Sequence, residues 1–300
     1  MSSVTLRLRF KARLVVALSA AALGATAFVA YEQIGTPAQR QIDAPLTVLI
    51  DPGSFRHRLP GEYLKDGKPV DAPSQEVRID GRIEIMKHQV SLADYRRCVA
   101  DGVCRAADIK HTTAADVPVT GVSHDDATAY AGWLSKATGT RWRLPSDREW
   151  AFAAGSRFSD DALGIDEDPA NPALRWLADY DKQAELAKAS DPGLKPAGHF
   201  GENEKGVADL AGNVWEWTSS CYERVRINAD GTAIGRIENC GVYVVEGQHR
   251  TYMTGFLRDP KAGGCSVGTP PDNLGFRLVR ENPGLFSRHW VAGLIRNITG

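Results

Sequence analysis

Two stretches carry residues whose types and spacing could do chemistry. The first, "GVADLAGNVWEWTSSCY" over 206–222, sets Glu216 between Trp215 and Trp217, just after a Gly-Asn turn. A carboxylate among large aromatics is costly to bury unless a cation or several donors meet it. The second, "VEGQHRTYMTGFLRD", gathers Glu246, His249, Arg250, Tyr252 and Met253. On a strand, Glu246, Gln248 and Arg250 share one face, and His249 shares the other with Gly247 and Thr251. Such polar, aromatic and soft groups can bind a peptide, a small ligand or a metal; a solvated edge strand with salt bridges is the plainer alternative.

The five cysteines are Cys98, Cys104, Cys221, Cys240 and Cys265. Nearness in sequence predicts Cys98–Cys104 around "RRCVADGVC" and Cys221–Cys240 at the base of the polar insert "YERVRINADGTAIGRIEN". Other pairings stay open, and Cys265 is left over. No Cys/His spacing resembles a zinc site. Among the seven histidines, His88, His111, His124, His199 and His289 are scattered without paired spacing, as surface or helix-end residues are.

The elements that must position these groups are marked by caps. Ser91 with Asp94, Ser123 with Asp126, and Ser146 with Glu149 each open a helix in capping-box style. Gly139 and Gly155 end the second and third. Ala127, Tyr130, Ala131 and Leu134 line one helical face, as do Trp150, Ala153 and Ala154. "EVRIDGRIEIM" reads as one or two strands, and "WEWTSSC", "CGVYVVEG" and "LGFRLVRE" alternate as short strands. The span from Arg157 to Gly206 reads as loops.

Three hundred residues with 43% hydrophobic composition supply ample core. The net charge of -1 and pI ≈ 6.7 give no general pull toward nucleic acid. "RLRFKAR" followed by about 18 apolar or small residues predicts an uncleaved anchor or a cleaved signal peptide over 1–31. Either places the remainder in the periplasm, where disulfides are permitted. The divisions that follow are a linker over 32–75, with "LTVLI" its one apolar run, a folded domain over 76–283, and a C-terminal extension over 284–300.

In order, "PVTGVSHDDATAYAGWLS", "TGTRWRLPSDREWAFAAG", "GVADLAGNVWEWTSSCY" and "DNLGFRLVRE" resemble the formylglycine-generating enzyme, or sulfatase-modifying-factor, family. The resemblance implies an α+β fold with few regular elements, related in shape to C-type lectins, and two structural calcium ions. One calcium would take the Asp209 side chain, the Gly212 and Val214 carbonyls and the Glu216 carboxylate, oxygen donors that suit calcium. The other would start from Asp179 and the Tyr180 carbonyl, with Asp191 the nearby candidate. The oxidase members bind copper(I) through two cysteines. The matching positions here hold Glu246 and Thr251, which argues against that activity, and the three-histidine iron site of a related branch has no counterpart.

The resemblance also puts the groove at Glu246, His249 and Tyr252. It implies an exported, membrane-anchored accessory or maturation factor for another envelope enzyme. The general pattern resembles accessory proteins associated with copper nitrite reductases. The rival expectations are a metal- or oxygen-dependent oxidoreductase and a lectin-like binding module.

Overall fold

The computed structural model describes residues 42–109, 114–165, 173–188, 193–262 and 273–281. The expectations for 1–31, His111, Asp191, Cys265, His289 and 284–300 lie outside them. Nearly all of what is described belongs to one unit, Asp43–Gly300. Twelve strands and four α-helices are described. The strands are β1 (Thr47–Ile50), β2 (Gly53–Arg58), β3 (Glu62–Lys65), β4 (Lys68–Val70), β5 (Ser74–Ile79), β6 (Ile83–Met86), β7 (Trp142–Arg143), β8 (Trp215–Ile227), β9 (Ala233–Glu246), β10 (Thr251–Thr254), β11 (Leu274–Gly275) and β12 (Val279–Arg280). The helices are α1 (Leu92–Ala100), α2 (His124–Thr138), α3 (Asp147–Ala154) and α4 (Leu174–Lys188).

The helix starts follow the capping chemistry. Ser91 accepts from the Asp94 amide, and Ser123 and Ser146 each form a reciprocal box with Asp126 and Glu149. Gly139 ends α2 at φ 67°, a conformation that a side chain resists. α2 buries Ala127, Tyr130, Ala131 and Leu134 as expected, and adds Trp133. Tyr95 of α1 stacks on Tyr130 of α2 at 5.7 Å, and both meet Phe276 edge-on.

Two sheets flank this helical layer. A four-stranded sheet runs β1-β6-β12-β7, and a larger one runs β10-β9-β8-β3-β4 with β11 beside β8. β2 and β5 form a separate pair. Ile50, Ile83, Ile85 and Val279 of the first sheet pack on Trp150, Ala153 and Ala154 of α3, with Val207 and Leu210. Both disulfides form as expected. Cys98–Cys104 closes the end of α1, and Cys221–Cys240 joins β8 to β9 with Cα atoms 4.7 Å apart.

Two expectations are corrected. The stretch assigned to a linker, 32–75, holds β1 to β4 and the start of β5. These strands are short and half-exposed, so their sequence looks polar, yet Tyr63 and His57 are buried in them. Asp66 and Gly67, at φ 50° and 78°, make the tight hairpin turn between β3 and β4. The loop-like span after Arg157 contains α4. Its sequence, "LRWLADYDKQAELAK", is rich in good helix formers, and Trp176 stacks on Tyr180 one turn later at 5.9 Å.

Candidate functional site

Glu216 sits on β8, wholly buried, and the group that meets its charge is Arg277. The guanidinium grips both carboxylate oxygens, Nε donating to Oε2 at 2.6 Å and Nη2 to Oε1 at 2.7 Å. The Trp150 indole donates to Oε2 at 2.8 Å and the Gln89 amide to Oε1 at 2.8 Å. Each oxygen thus has two donors, which makes a buried charge tolerable. Arg277 also satisfies the carbonyls of Met86, Lys87 and Ala208.

The calcium ligands expected here are only partly brought together. The carbonyls of Asp209 and Gly212 converge with Glu216, but on the Gln89 side-chain nitrogen, at 3.1, 3.4 and 2.8 Å. The Asp209 carboxylate turns away to accept from the amides of Gly198 and Phe200. The Val214 amide donates to the Gly212 carbonyl at 2.8 Å. A neutral NH2 group stands where the oxygens meet, and the neighbouring arginine already balances the carboxylate. Calcium needs six to eight oxygens about 2.3–2.6 Å away. As arranged, these residues do not fit it. The second expected site fares no better. Asp179 and Tyr180 lie mid-way along α4, where a backbone carbonyl serves the amide four residues on.

The other cluster is a hairpin. β9 ends at Glu246, a turn follows, and β10 starts at Thr251, so Glu246 and Arg250 face each other across the turn. Arg250 is 1% exposed and reaches in every direction. Its Nε donates to Glu246 Oε1 at 3.0 Å, and Nη2 pairs with Asp147 Oδ1 at 3.0 Å. Its Nη1 meets the Arg58 carbonyl at 2.8 Å and Asp161 Oδ1 at 3.3 Å. His57 Nε2 lies 2.7 Å from Asp147 Oδ2. His57, Asp147, Glu246 and Arg250 therefore form one dry cluster, none more than 1% exposed.

Two buried carboxylates cannot both ionise beside one guanidinium at no cost, and Glu246 and Asp147 divide the roles. Burial pushes the Glu246 carboxyl well above its ordinary range, and the nearby Asp147 charge adds to this against Arg250. For Asp147, burial is outweighed by Arg250, His57 and Glu246, which hold it at about 2. Burial thus favours the protonated form of Glu246 beside the ionised form of Asp147. Glu246 Oε2 and Asp147 Oδ1 are buried without a hydrogen-bond partner, and Asp147 Oδ1 has Arg250 Nη2 as its ionic neighbour.

Beside the cluster opens a cleft of about 1350 Å³. His249, Arg250 and Tyr252 line it, with Tyr222, Trp176 and Lys182 on its walls; Glu246 lies behind them. The Tyr252 hydroxyl donates to Asp161 Oδ2 at 2.5 Å and accepts from the Gly61 amide at 2.7 Å. Burial raises its pKa well above the phenol range. His249 faces Trp215 edge-on, and burial lowers its pKa. Of the expected groove residues, then, His249 and Tyr252 reach the opening and Glu246 supports it from inside. His57, Asp147, Asp161, Gln89 and Arg277 were not singled out by sequence. His57 lay in the supposed linker, Asp147 in a helix start assigned only to capping, and Arg277 inside the quoted "GFR".

Comparison with known proteins accords with this architecture. The description "Sulfatase-modifying factor enzyme 1-like domain" matches residues 33–282. "Inactive C-alpha-formylglycine-generating enzyme 2" of Mus musculus is 29% identical over 180 residues, 55% of this chain and 49% of that protein. "Formylglycine-generating enzyme" of Streptomyces coelicolor is 31% identical over 184 residues, 55% and 52% of the two chains. The chain thus spans about half the length of these curated relatives. Among solved structures, PvdO from Pseudomonas aeruginosa shares the fold. Its TM-score is 0.51 at 24% identity, over 80% of this chain and 95% of that one. With the family match running from β1 through β12, the chain belongs to the sulfatase-modifying factor enzyme 1-like domain family.

Proposed function

We propose that this chain is a non-oxidase member of its family, an accessory or maturation factor that binds another envelope protein through the cleft at Tyr252. The observation that carries this reading is the fate of Glu246. It stands where the oxidase members are expected to have a cysteine, and it is sealed into a buried polar cluster with Arg250 and Asp147. Thr251, at the other position, is buried opposite Val245 on β9. Neither is a soft ligand for copper(I). The mouse relative's name, which calls that protein inactive, supports the same reading.

The finer proposal is an exported protein held at the inner membrane by its N-terminal segment, with a copper nitrite reductase as the enzyme served. Its support is the basic-then-apolar leader and the general likeness to accessory proteins of such reductases. The test is to delete the chain from cells that make a copper nitrite reductase and measure copper per reductase and its activity. The proposal expects both to fall and to recover with the wild-type chain. The purified protein should not turn a cysteine peptide into an aldehyde with oxygen and copper present. Aldehyde formation, lost in Tyr252→Phe, would instead establish the oxidoreductase reading.

A further inference from the structure

The β8–β9 ribbon leaves one edge open. β9 pairs with β8 along its length, but β10 covers only Val242–Val245 on its other side. Among the described residues no strand pairs with that side from Ala233 to Asn239. Residues 236–241 are all exposed, with Ile234 at 62% and Ile237 at 69%. From Gly235 to Asn239 the ladder with β8 runs without a register shift, opposite Tyr222–Arg226. Alternate residues of such a strand direct their N–H and C=O groups outward. An exposed, regular edge of this kind is a template for another strand.

Edges that exclude partners are commonly blunted with charge, lysine above all. Here the two charges are opposite and symmetrically placed, Arg236 and Glu238 on either side of Ile237. We infer that the open edge of β9 pairs with β9 of a second copy of this chain, antiparallel, about a two-fold axis at Ile237. In that register Ile237 meets Ile237 of the second copy on one face of the sheet. On the other face Arg236 lies opposite Glu238 of the second copy, and Glu238 opposite its Arg236. Cross-strand neighbours of opposite charge attract and like charges repel. Within one chain Glu238 lies directly opposite Glu223 of β8, and the Arg236 guanidinium leans on Glu223 through Nη1, so Arg236 of the second copy would bring a base to a row that holds two acids. β4, β3, β8 and β9 would then join their counterparts in one continuous sheet.

The experiment is sedimentation velocity on the full-length chain in mild detergent, over a dilution series. Wild type is expected to dimerise. Arg236→Glu and Glu238→Arg should each weaken the dimer about thirtyfold, because the two-fold axis turns two attractions into two repulsions. The swap Arg236→Glu with Glu238→Arg restores complementarity and should restore the dimer. Both residues are exposed, so all variants should fold, with the far-ultraviolet circular dichroism of the wild type. Three results would overturn the inference: a monomer at every concentration, single reversals that leave the dimer intact, or a swap that fails to rescue. A monomer whose β9 edge binds a strand of another protein belongs to the first.

Discussion

The pair Glu216–Arg277 invites a double-mutant cycle: Glu216→Gln, Arg277→Met and the two together. Removing Arg277 leaves a fully buried carboxylate with two neutral donors, and three carbonyls lose their guanidinium. Breaking a buried ion pair from one side costs about 3–5 kcal/mol. Glu216→Gln strands the guanidinium instead and should cost a similar amount. The double variant has no unmatched charge, so its loss should fall short of the sum by about 3 kcal/mol. Since a domain of this size loses about 2–4 °C of Tm per kcal/mol, each single variant should melt roughly 6–20 °C lower. Urea unfolding followed by tryptophan fluorescence suits the site, because Trp150 donates to Glu216 directly. Each protein would be unfolded in calcium and in chelator. The wild-type curves should superimpose. Additivity in the double variant would show that the two residues do not act as a pair. Equally, a calcium-raised midpoint in wild type that vanishes in Glu216→Gln would make Glu216 a metal ligand and refute the assignment of Arg277 as its partner.

Two pH predictions follow from the buried titrating groups. Glu246 binds its proton more tightly folded than unfolded, so its contribution is complete below about 4.5 and is lost as pH rises toward the folded value. Glu246→Gln, which cannot titrate, should lack a slope of about 1.4 kcal/mol per pH unit. Denaturation midpoints from about pH 5 to about pH 8 test it; parallel curves for variant and wild type would count against a protonated Glu246. His124, stacked on Tyr243 at 3.5 Å, has its pKa lowered by burial from 6.5 to about 4. Its stabilisation is present above pH 6.5 and drains away as pH falls toward about 4, about 3 kcal/mol in all. His124→Phe should flatten that acid limb, and an unchanged limb would assign it to other groups.

The parts of this fold legible in sequence are those whose causes are local. Ser123 and Asp126, or Ser146 and Glu149, meet within one turn, and the cysteines of each disulfide are near neighbours in the chain. The tryptophan and tyrosine faces of α2 and α3 follow from helical period alone. What was missed depends on distant encounters. Arg277 lies 61 positions from Glu216, Gln89 lies 127, and His57 lies 90 from Asp147. No spacing rule announces such partners, so the sequence marks Glu216 as a carboxylate that needs a cation without naming Arg277. The short strands β2 and β3 were hidden because a half-exposed strand looks like a polar linker. The Asp66-Gly67 turn was their one local signal.

The position of β12 constrains how the chain can be built. That strand is the last one described, yet it lies inside its sheet, between β6 and β7, with Val279 opposite both Ile85 and Arg143. Arg277, which neutralises Glu216, arrives on the same segment. A ribosome releasing this chain from its N-terminus delivers every other strand of both sheets first. Until residues 277–280 emerge, β6 and β7 have no strand between them and Glu216 no counter-charge. Folding of this domain therefore completes only once residues 277–280 have joined it. A growing chain stalled or cut before Arg277 should be open to proteases along most of its length.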